Sequence, residues 1–181
     1  MGFFGKVFKS KTDKLISDLN NKNMAVRKRA ILELARIGEP AVEPLIEVLM
    51  TNKEFRLSGG PPDALATIGQ PAIRPLVRAL RSNPVKRFGP IIALAKMTDG
   101  ASQSLMKVLR AEAVEPLLEV FTEDYCKGNM LMLNAICSAF TRMGDPRTIE
   151  PLKRSLEVLQ ENKYMHDIAK KTLEEIQKLA S

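Results

Sequence analysis

The chain has 181 residues, 45% of them hydrophobic, with no Trp, two Tyr, seven Phe and a formal net charge of +7. Leu, Ile, Val, Ala and Met must build the core, a composition that favours helices and disfavours a sheet, and no stretch approaches the ~20 consecutive apolar residues of a membrane span. The positive charge invites an anionic partner, yet it comes in blocks: residues 1–30 and 61–110 are basic, while 31–60 and 111–150 are acidic.

In chain order, Met1-Gly-Phe-Phe-Gly-Lys-Val-Phe-Lys-Ser-Lys11 stands apart, with Phe4, Val7 and Phe8 at helical spacing among lysines. It reads as an N-terminal lid over the first helices, since a solenoid must cover its exposed end. The alternative is a short interfacial, membrane-peripheral anchor. Position 6 is Lys6, which leaves myristoylation unsupported. There is no apolar run before a small-residue cleavage site, and Cys126 and Cys137 form no CxxC, so the expected compartment is the cytoplasm, with free thiols.

From residue 12 the apolar spacing predicts helices at 13–19, 24–37, 43–50, 62–68, 74–81, 84–97, 112–121, 129–143, 148–159 and 165–179. A repeat underlies them. Ala35-Arg-Ile-Gly-Glu-Pro-Ala-Val-Glu-Pro-Leu-Ile-Glu-Val-Leu49 matches Ala66-Thr-Ile-Gly-Gln-Pro-Ala-Ile-Arg-Pro-Leu-Val-Arg-Ala-Leu80 at an offset of 31. The Pro-Leu marker returns at Pro116-Leu117 and Pro151-Leu152, with an insertion expected between Gly100 and Ala111. In each unit a first helix (A) ends at Gly, which accepts a left-handed backbone. Proline then enters the first turn of a second helix (B), where its missing N–H is no loss. Neither helix hides its apolar stripe alone, so stacking units creates the core. Pro62 and Pro90 fall inside expected A helices, which predicts a short second A helix and a bent third one. The Gly59–Pro62 and Gly89–Pro90 stretches read as kinks, with a ligand-approaching loop as the alternative.

This motif resembles the HEAT repeats of bacteria and archaea, the group also called phycobilisome-lyase HEAT-like repeats, over roughly residues 12–180. The resemblance implies an all-α, right-handed α-solenoid (superhelix) of about five HEAT-like antiparallel helix pairs, one domain over 12–181. It does not fix an activity, because fold and function separate in such families. The di-iron hydroxylase relatives need several His–Glu pairs, whereas this chain has His166 alone, read onto the polar side of the last helix. The glycosylase relatives use Trp, which is absent. No catalytic motif occurs, and a bilin-lyase or lyase-chaperone role ranks third. The expectation is a non-enzymatic scaffold or adaptor without metal or cofactor, monomeric or weakly associated.

The resemblance also implies that B helices line a concave face where partners bind. Counting from the Pro-Leu marker, Glu43 and Glu47, Arg74 and Arg78 (with Arg81), Glu115 and Glu119, and Glu150 and Arg154 project there. Their signs alternate, which predicts ion pairs between successive B helices, such as Glu43 with Arg74 and Arg78 with Glu119. Alternation suits a protein partner with a patterned surface better than a phosphate backbone of one sign. The second reading is nucleic-acid binding by a basic rim, Lys22, Arg27, Lys28, Arg29, Lys86 and Arg87, without interleaved aromatics that could stack bases.

Overall fold

The structure, a computed structural model, describes residues 11–51, 58–121 and 129–180; among them there is no β-strand. Helices occupy residues 11–18 (α1), Met24–Ile37 (α2), Val42–Thr51 (α3), Pro61–Ile68 (α4), Gln70–Ser82 (α5), Phe88–Met97 (α6), Gln103–Val120 (α7), Met130–Met143 (α8), Ile149–Val158 (α9) and Lys163–Ala180 (α10). Polar caps start several of them. The side-chain oxygens of Asn23, Ser102 and Asn129 accept from the backbone N–H of Ala25, Leu105 and Met132, satisfying donors that a helix start leaves unpaired.

Gly38 and Gly69 occupy matching places and adopt the same conformation, φ 72° and 78°. A side chain is strained at such φ, so Gly is what lets the A helix stop and the chain turn within one residue. Pro40 and Pro71 then sit in the first turn of the next segment, where φ is preset and no hydrogen bond is lost.

The chain divides into two compact units, 1–97 and 98–181. In the first, the A helices α2, α4 and α6 pack in succession and the B helices α3 and α5 pack beside them. Leu34, Leu45, Leu65, Ile73, Leu76, Leu80, Ile91 and Leu94 are fully buried between the layers. Each such side chain contributes about 1.5–3 kcal/mol by leaving water. In the second unit α7 packs on α8, and α10 packs on both α8 and α9. Leu109, Ala113 and Leu117 of α7, Ile136 and Phe140 of α8, Leu152 of α9 and Met165, Ala169 and Ile176 of α10 form its core. Phe121 meets Phe140 edge-on at 5.6 Å, the arrangement that ring quadrupoles favour.

Two expectations need correction. The segment between Gly100 and Ala111 is no separate insertion: α7 runs unbroken from Gln103 through Pro116 to Val120, so the extra residues lengthen a B helix. The third A helix is not bent at Pro90. A one-turn 3-10 segment, Pro84–Lys86, precedes α6, which starts at Phe88 and takes Pro90 into its first turn. The second A helix, α4, has eight residues and begins at Pro61, short as the prolines require.

Candidate protein-binding surface

The nine outward B-helix residues Glu43, Glu47, Arg74, Arg78, Arg81, Glu115, Glu119, Glu150 and Arg154 are all exposed. The reason is local. Each B helix buries the positions around its Pro-Leu pair, such as Leu45 and Leu76, and helical spacing turns the residues one before and three after the proline outward, with Arg81 a further three along the same face of α5.

Glu43 on α3 accepts from the Arg78 guanidinium on α5 at 2.7 Å. An inter-helix ion pair therefore exists in the first unit, with Glu43 as the partner of Arg78 where Glu119 was expected. In the second unit the pairing departs further from the expected pattern. Glu150 turns to Lys153 of its own helix at 2.7 Å, and Glu115 is met at 3.1 Å by Arg147, which belongs to the turn before α9.

Sequence reasoning passed over Arg147. Its Nε and Nη2 donate to the two oxygens of Asp145 at 2.9 and 2.8 Å, and its backbone N–H donates to the same carboxylate at 3.0 Å. Nη2 also donates to the carbonyl of Arg110 at 2.7 Å, while Arg110 Nε donates back to the carbonyl of Met143. The interlock joins α7 to the turn between α8 and α9. Asp145 is nearly buried; the hydrogen bond from Arg147 outweighs desolvation and holds its carboxyl below the usual range. The signal in the sequence was Asp145-Pro-Arg147, an Asx turn with an arginine able to fold back on the aspartate.

The basic rim does not hold together as a unit. Arg27 is buried, 7% exposed, and its Nη1 donates to the carbonyls of Asn21 and Lys22 at 2.8 and 3.0 Å. Its long stem lies inside the first unit against Gly59, where an added Cβ would come within 2.7 Å of Nε. Gly59 thus makes its close approach to a side chain of its own fold. Arg87 is half-buried and donates from Nε to the carbonyl of Leu80 at 2.9 Å, closing the end of α5. Lys22, Lys28, Arg29 and Lys86 are exposed. Arg29 lines a groove of about 400 Å³ between α1 and α2 that also holds Asp18 and Glu33. Glu33 pairs with Arg36 at 2.6 Å and Lys11 at 3.5 Å, so that groove carries both signs.

Elsewhere polar side chains bind the layers. Asp63 in the first turn of α4 accepts from the backbone of Gly59 at 2.8 Å and from Lys96 of α6 at 3.0 Å. His166 lies half-buried on α10, 3.6 Å from its neighbour Asp167, and Cys137 is buried. Among the described residues no group of His, Cys, Asp or Glu could hold a metal ion, and no helix is long and apolar enough to cross a membrane. Cys126 and the lid or anchor at residues 1–10 lie outside the described residues.

Stacked helix pairs with Gly-Pro junctions and a buried aliphatic seam define an all-α helical-repeat protein of the solenoid class. Residues 12–95 match the family of HEAT repeats, and that stretch carries HEAT repeats. The match is to HEAT repeats as such and leaves the phycobilisome-lyase subtype unsupported. No curated protein matches the sequence.

Proposed function

We propose that the chain is a non-catalytic scaffold whose B helices bind a protein partner. HEAT repeats commonly serve as protein-interaction scaffolds, and the observation that carries the reading here is the interleaving of charge. The exposed B-helix stripes alternate acid and base, and Arg78 is already met by Glu43. A phosphate backbone gains affinity from cations of one sign in a row. A protein surface of mixed charge gains specificity from a mixed pattern. The competing basic rim loses support because Arg27 is buried and Arg87 serves a backbone carbonyl.

The test compares two immobilised baits, the wild-type chain and a variant with Glu47→Arg, Arg81→Glu and Arg154→Glu, after circular dichroism establishes equal helicity. Proteins captured in native lysate by the first and absent from the second support the reading. Retention of the wild-type chain on double-stranded DNA at about 150 mM salt, where non-specific phosphate contacts are already weakened, abolished by Lys28→Glu with Arg29→Glu, would overturn it in favour of nucleic acid.

A further inference from the structure

The first A helix, α2, has a solvent face unlike that of the last. Arg27, Ala30 and Leu34 turn inward and are buried. At about 3.6 residues per turn, Ala25, Lys28, Arg29, Leu32 and Arg36 then fall together on the opposite side, and all five are exposed. Leu32 stands in the middle of that face, 57% exposed, with Arg29 three residues before it and Lys28 and Arg36 four residues to either side. Met24, 53% exposed, and the exposed Lys22 lie at its N-terminal end.

A single exposed leucine needs no explanation; one ringed by cations of one sign does. A solvated helix face ordinarily mixes charges that pair at spacings of three and four. Helix α10 has such a face, where Asp167, Lys170, Glu174 and Lys178 mix both signs. On α2 the single acid is Glu33, set to the side of the face and met by Lys11 and Arg36. Its first turn has no acid, although the positive end of the helix dipole favours one. Asp18 shares the neighbouring groove with Arg29. Over residues 11–37 three acids stand against six exposed cations, so the positive excess survives any pairing among them.

The occupant of this face must take aliphatic side chains and several cations at once. A nucleic-acid backbone offers Leu32 and Met24 nothing, and the face has no aromatic ring on which a base could stack. A protein partner would need a pocket cut for Leu32 between acids. An anionic bilayer meets both demands without fitted geometry: its headgroups take Lys and Arg, and the acyl boundary beneath takes short apolar side chains. Clusters of about four to eight Lys and Arg on an amphipathic helix are held at such a surface, and α2 brings Lys22, Lys28, Arg29 and Arg36. We infer that the α2 face is a peripheral docking surface for an anionic bilayer. Leu32 and Met24 enter the headgroup–acyl boundary, and the four cations meet the phosphates around them. The B-helix surface belongs to the other layer of the unit, so this inference and the scaffold reading stand or fall separately.

The test is co-sedimentation of the full chain with vesicles of phosphatidylcholine carrying about 30% phosphatidylserine, against phosphatidylcholine alone. Binding to the anionic vesicles only is expected, and added salt should weaken it. Lys28→Gln with Arg29→Gln should lower the partition coefficient about tenfold or more, and Leu32→Ser about threefold or more. All three positions are exposed, so circular dichroism should show the fold unchanged. The controls remove equal chemistry elsewhere: Lys163→Gln with Lys170→Gln on α10, and Leu131→Ser, 61% exposed on α8, should leave binding as it was. No preference for the anionic vesicles overturns the inference. Equal loss in the α10 pair, or binding indifferent to Leu32→Ser, overturns it too, because net charge alone would then account for the attraction. So does binding that survives both α2 variants and is lost in Phe4→Ser with Phe8→Ser, which would assign it to the N-terminal segment.

Discussion

The Asp145 carboxylate accepts from Arg147 through two guanidinium nitrogens and the backbone N–H. Hydrogen bonds to a charged group contribute more than neutral ones, while Arg147, with its side chain 43% exposed, keeps Glu115 and the Arg110 carbonyl and can turn to water. Asp145→Ala should therefore lower stability by about 1–2 kcal/mol at pH 7, read as a drop in urea midpoint. The pH dependence has a definite sign. The carboxyl's folded pKa lies below its ordinary 3.8, so the stabilisation is complete above about pH 5 and fades as pH falls through the folded value. The gap between wild type and Asp145→Ala should narrow between about pH 5 and pH 3. An unchanged gap would mean that packing, not charge, holds the turn.

Gly59 makes a second residue-scale case. Its φ is +74° and a Cβ there would press on Arg27 Nε at 2.7 Å. Gly59→Ala meets both backbone strain and the buried guanidinium, and should cost about 1–3 kcal/mol. Thermal denaturation decides it; a neutral outcome would mean that Arg27 swings aside freely.

At the scale of elements, α3 and α5 are joined at their surface by Glu43 and Arg78, with side chains 66% and 70% exposed. Water and salt screen such a pair, so its coupling energy in a double-mutant cycle of Glu43→Gln and Arg78→Gln should be below about 1 kcal/mol. The apolar seam beneath contributes more: Leu76→Ala, at a fully buried position, should cost about 2–5 kcal/mol. A cycle that put most of the stability in the ion pair would reverse this ranking. The pair's value then lies in register, since it forms only where the two B helices sit at one longitudinal offset.

At the scale of the molecule, each of the two units has its own buried core. In repeat proteins stability is a sum of local units and nearest-neighbour interfaces. A fragment of residues 1–97 should consequently express as a helical protein with a cooperative thermal transition, measured by far-UV circular dichroism. Absence of a transition would mean that this core depends on residues beyond 97.

The helix-pair architecture was legible in the residues alone, because it is written in short-range signals. Gly38 and Gly69 mark where a backbone must take positive φ, Pro44 and Pro75 recur at a constant offset, and apolar spacing near the helical period of about 3.6 dictates which face is buried. Those signals act within a dozen residues and survive any tertiary arrangement. The nine outward B-helix charges are exposed. Helix starts were less legible at 84–90 and 100–111, where a 3-10 turn or a continuation costs nearly the same locally and packing selects between them.

Only the tertiary structure decided what each charge does. In the string of residues Arg27 resembles Lys28 and Arg29, yet it points inward to carbonyls at the end of the α1–α2 turn, whereas its neighbours face solvent. Arg147 gains its role because α7 comes close enough to offer Glu115 and a backbone carbonyl. Electrostatic and hydrogen-bonding roles depend on distances of a few ångströms between residues far apart in the chain, and periodicity along one helix carries no information about them.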